Sequence, residues 1–167
     1  SIFLKFLYYF LFELFSLTLY FYNSTILIYL SIMKTHFKGI TKTLTPDSVS
    51  AVKEFVKFLQ TQLSLRDDVY LNFLSKRDVP MTTGVRMPNN EIFILTTGRL
   101  LIDVIRTIGH EWVHEYQHQK MGLKDDEKIQ DIGGPEENMA NVLSGIFVKK
   151  FEKEFPKYSK ILYDENK

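Results

Sequence analysis

The sequence predicts an α+β fold built on a small antiparallel sheet, with one helix before the sheet and two after it. Three observations carry this expectation. Apolar residues recur at helical spacing between Val49 and Leu63 and again from Leu101 to Trp112. Short segments between those stretches alternate with the period of a strand. A last helical pattern follows Pro135.

The first helix has a start signal as well as a period. Thr45-Pro46-Asp47 supplies a capping hydroxyl, a proline suited to the first helical position and an acid in the first turn. Val49, Val52, Val56, Leu59 and Leu63 then form one apolar face. Over residues 69–74, Val69, Leu71 and Phe73 alternate with Tyr70 and Asn72, as in a strand with one buried face. Residues 85–87 and 91–95 are the next two strands, and Pro88-Asn89-Asn90 between them favours a tight turn and an antiparallel hairpin. From Arg99 onward, Leu101, Val104, Ile105, Ile108 and Trp112 mark a helix that should run to about Met121, where Gly122 offers a stop. Trp112 continues that stripe and is expected in the core. Residues 123–134 are polar, end in two glycines and read as a loop. Pro135 opens the final helix, in which Met139, Val142, Leu143, Ile146 and Val148 are apolar, and Pro156 limits its far end.

With 167 residues and 45% hydrophobic content, the chain can bury one real core. Its 21 basic and 20 acidic residues are interspersed and leave a formal charge of +1, so no electrostatic footprint for nucleic acid is present. There is no cysteine, and any transition metal must be held by histidine and carboxylate.

Residues 1–32 stand apart from residues 33–167. They are almost wholly apolar, yet contain no Ala, Val, Gly or Pro, the small residues that membrane helices use freely. The first methionine is Met33, and ordinary polar sequence follows at once. The extension is read first as translated upstream sequence and second as a membrane anchor. A secretory signal is the weakest reading, because no small-residue cleavage site follows the run. If it is an anchor, Lys34, Lys38 and Lys42 place residues 33–167 on the cytoplasmic side, and a cytoplasmic location is expected in either of the first two cases.

Chemistry gathers in the segment HEWVH. His110 and His114 are four apart on an expected helix, so their rings project from one face and can share a metal ion. Glu111 follows the first of them and is placed to act as a general base toward water. A catalytic zinc site usually takes three protein ligands and leaves one position open, so a third ligand must come from elsewhere. His118 lies a further turn along and cannot reach the same ion. The extended pattern, with a glycine three residues and a histidine six residues after the second ligand, is excluded because Gln117 and Lys120 occupy those places. Glu136 and Glu137 of the last helix remain. One turn after Glu137 stands Asn141, whose carbonyl can accept from a ligating histidine, whereas Ala140 follows Glu136. Glu137 is therefore the expected third ligand, and Asn141 the expected acceptor of a hydrogen bond from His110 or His114.

HEWVH followed by Glu137-Asn138-Met139-Ala140-Asn141 resembles the gluzincin metallopeptidases, most of all their short bacterial and phage members of the ImmA/IrrE type. The resemblance covers roughly residues 69–151 and implies a zincin-like fold, a zinc ion held by His110, His114 and Glu137, and peptide-bond hydrolysis with Glu111 catalytic. It also implies that an edge strand aligns an extended peptide or protein substrate. In the larger relatives the residue four after the ligating Glu is Asp, where this chain has Asn141. The short chain fits a protease of narrow range better than a digestive one. Two other classes stay open at this point: a non-catalytic, zinc-containing protein-binding module, and a small membrane-anchored protein.

Overall fold

The computed structural model describes residues 33–78, 80–124 and 134–163. Residues 1–32 and most of the loop expected over 123–134 lie outside the described residues. No helix among the described residues is long and apolar enough to cross a membrane.

A short strand β1 (Thr35–Lys38) leads through one helical turn α1 (Ile40–Thr43) into helix α2 (Pro46–Gln62). The Thr45 hydroxyl accepts the Ser48 amide at 3.3 Å, and Pro46 takes the first helical position. Strands β2 (Val69–Leu74), β3 (Gly84–Met87) and β4 (Glu91–Leu95) follow. Helix α3 (Leu101–Met121) ends at Gly122, whose φ of 74° is the left-handed cap that closes a helix. Helix α4 (Pro135–Glu154) is followed by a 3-10 turn (Pro156–Tyr158) and the short α5 (Ser159–Leu162).

The architecture is α+β, but the sheet is mixed and four-stranded, not antiparallel as expected. Its order is β1-β2-β4-β3, with β1 and β4 both parallel to β2 and only β3 antiparallel to β4. Two connections explain this. Helix α2 carries the chain back across the sheet between β1 and β2, as parallel pairing requires. The segment between β2 and β3 is long enough to place β3 at the far edge, so the returning β4 inserts beside β2. The hairpin itself forms as its turn residues suggest, with Asn89 and Asn90 both at positive φ, a region that Asn tolerates. Strand β1, with no apolar alternation over Thr-His-Phe-Lys, had no signal of its own.

The core lies between the sheet and helices α2, α3 and α4. Phe55, Leu59, Leu71, Ile92, Ile94, Ile105, Ile108 and Phe151 are fully buried there. Trp112 joins them, donating its ring N–H to the Leu63 carbonyl at 2.9 Å, which stitches α3 to the end of α2. Helix α4 departs from its apolar pattern: Val142 and Ile146 are exposed, and Ala140, Ser144, Phe147, Val148 and Phe151 form the buried face. Small residues at the head of that face let the helix approach closely, a property that hydrophobic periodicity does not register.

Candidate metal centre

Helix α3 presents His110 and His114 one turn apart, and the first turn of α4 brings Glu137 against both. The two imidazole Nε2 atoms are 3.0 Å apart. Glu137 Oε2 lies 3.2 Å from His114 Nε2, and Glu137 Oε1 lies 3.3 Å from His110 Nε2. Ligands about 2.0–2.1 Å from a tetrahedral zinc are separated from one another by about 3.3 Å. The three side chains thus form a triangle of the size such an ion needs, and they can hold a metal ion.

Their protonation suits the same task. Burial holds the His110 pKa below its usual value, with the neighbouring His114 adding to the effect while Glu137 and a hydrogen bond that the ring donates to Asn141 oppose it. A neutral imidazole is the form that binds metals. His114 is only 6% exposed, and its Nδ1 faces Gln117 Oε1 at 2.9 Å. Because an amide oxygen only accepts, that contact makes Nδ1 the donor and directs the lone pair of Nε2 toward Glu137 and His110. Gln117 is itself fixed by donating to the Glu136 carbonyl at 2.9 Å.

The support around the three side chains differs in part from the expectation. Asn141 donates to Glu137 Oε1 at 3.2 Å and hydrogen-bonds His110, so it steadies those two residues. The acceptor for His114 is Gln117, which in the sequence stands out only as a break in a longer pattern. Its signal was a carboxamide one turn after the second histidine of HEWVH. His118 lines the cleft but is not part of the cluster.

Glu111 sits beside the triangle and is 7% exposed. Burial pushes its carboxyl pKa up to about 8; the main-chain N–H of Arg86, which donates to it, opposes the rise and the charge of Glu137 adds to it. Strand β3 comes unusually close here: a Cβ on Gly84 would collide with the Thr107 methyl and lie 3.1 Å from Glu111 Oε1. Glycine is what lets the strand approach the carboxylate.

A cleft of about 940 Å³ opens over these residues, walled by the segment 80–86 on one side and α3 on the other. Strand β3 is an edge strand of the sheet. The Leu95 amide donates to the Thr83 carbonyl at 2.9 Å, which sets the phase of the ladder. Val85 then pairs with Phe93, and the main-chain groups of Gly84 and Arg86 point away from β4, toward Glu111. The side chain of Arg86 locks the strand in place by donating to Glu115 Oε2 at 2.8 Å, a pair with side-chain exposures of 10% and 0%.

No family model, curated protein or solved structure matches the chain.

Proposed function

We propose that this chain is a metal-dependent hydrolase. More narrowly, it is a zinc peptidase of the gluzincin type, with His110, His114 and Glu137 as ligands and Glu111 as general base. The observation that supports this most is the joining of three elements at one place. A three-donor triangle, a carboxyl group next to it and the outward edge of β3 all face one open cleft. A purely structural zinc site is normally closed by four protein ligands, and the described residues provide three.

Zinc held there supplies Lewis acidity, polarising a carbonyl and making water acidic enough to lose a proton near neutral pH. Glu111 takes that proton and passes it to the departing amine nitrogen. The raised Glu111 pKa is that of the metal-free protein; a cation at the three side chains would favour the ionised carboxylate, the form that accepts a proton. Gln117 and Asn141 hold His114, His110 and Glu137 in orientation. An extended peptide aligns along β3 by main-chain hydrogen bonds, adding a strand to the sheet.

The experiment is hydrolysis of an unstructured protein by the zinc-loaded chain and by its Glu111→Gln variant. Loss of a general base predicts a rate lower by about 10²- to 10⁴-fold at equal zinc content. Equal rates in the two proteins would refute the role of Glu111, and an equal biological effect without hydrolysis would indicate a binding module.

A further inference from the structure

One cation in the cleft has no part in this chemistry. Arg106 lies one turn before His110 on α3, so it projects from the same face of the helix, and it lines the same cleft as His110, Glu111 and Glu137. The other two arginines of the cleft are engaged. Arg86 is buried against Glu115 at 2.8 Å. Arg99 donates to the Leu95 carbonyl at 2.8 Å, the Asp103 carbonyl at 2.9 Å and the Thr107 hydroxyl at 2.8 Å. Arg106 is exposed and makes no hydrogen bond or ion pair among the described residues.

Its surroundings leave positive charge on this wall. Apart from Glu111 and Glu137 of the candidate metal centre, Arg99 and Arg106 are set there against one lining acid, Asp103, whose charge acts on Arg99. One helical turn separates Arg106 from His110, about 6 Å along the axis. An extended peptide covers that distance in about two residues. A guanidinium with its donors uncommitted matches a carboxylate in a planar, two-point contact.

We propose that Arg106 determines specificity at this site by binding a carboxylate of the substrate within about two residues of the cleaved bond. The proposal rests on the peptidase reading above. The carboxylate comes from an acidic side chain or from the substrate's own C-terminus.

The test uses end-blocked hexapeptides carrying Glu, Gln or Lys at each position in turn, and the Gln peptides again with a free C-terminus. Selectivity is read as ratios of kcat/KM with the zinc-loaded full chain, so differences in zinc occupancy cancel. Binding of the same peptides to the zinc-loaded Glu111→Gln variant is read by calorimetry. At one position Glu should exceed Gln by about ten- to a hundredfold, the range of a charge-assisted hydrogen bond. Arg106→Ala should abolish that ratio, and Arg106→Glu should invert it in favour of Lys. A preference confined to the free C-terminus identifies the terminal carboxylate instead. Hydrolysis without a charge preference, or with one that survives Arg106→Glu, overturns the proposal and leaves the peptidase reading intact. Absence of hydrolysis with binding that still depends on Arg106 supports the proposal and refutes the peptidase reading. Absence of both refutes both.

Discussion

Glu111 is a carboxyl group enclosed by protein on most sides, and its cost of ionisation sets how stability depends on pH. In the metal-free chain its pKa lies near 8, above the ordinary value of 4.5. Between those two pH values the unfolded chain has released a proton that the folded chain keeps, so stability falls as pH rises through that window. His110 acts in the other direction: its depressed pKa means that stability is lost as pH falls below the ordinary histidine value of 6.5. Urea titrations of the metal-free protein should therefore show Glu111→Gln gaining on the native chain from pH 5 to pH 8, and a constant difference would show that burial of the carboxyl is not the cause. Gln117→Ala should weaken zinc binding by about 10- to 100-fold, the usual effect of losing the hydrogen bond that orients a ligating imidazole. Competition with a chelator measures it. His110 and His114 were legible because spacing by four is local to one helix. Gln117 was not, because a carboxamide one turn after His114 does not by itself show that the imidazole faces it and not Asn141.

Elements fix how those residues meet. The two long helices around the site were legible from Gly122, Pro135 and the apolar stripe of α3, all of which act within a few residues. Sheet order was not legible, since pairing depends on where connections cross, and the residues of β4 look alike whether or not β2 lies on the side away from β3. The same limit applies to α4, where Ala140 and Ser144 face inward and Val142 and Ile146 face out. Strand β3 depends on two contacts with α3. Arg86→Ala strands the Glu115 carboxylate in the interior and should cost about 3–5 kcal/mol, as breaking a buried ion pair does. Gly84→Ala forces the strand away from Thr107 and should cost about 1–3 kcal/mol, with hydrolysis falling as well because Glu111 is displaced. Thermal unfolding of each zinc-free variant checks the two figures, and a native melting profile for either would place β3 differently from the structure described above.

At the scale of the whole chain, the α+β class followed from counting periodic segments, and the candidate site followed from two motifs separated by a polar loop. What joins them is the packing of α4 on α3, which carries Glu137 to within hydrogen-bonding distance of His114 across 23 residues of sequence. The central claim is that this convergence exists to hold zinc. It is tested most directly by measuring the zinc content of the purified chain by plasma mass spectrometry beside His114→Ala and Glu137→Ala. One zinc per native chain, with little or none in either variant, is the predicted result. Zinc absent from the native protein, or present in equal amount in all three, would contradict it.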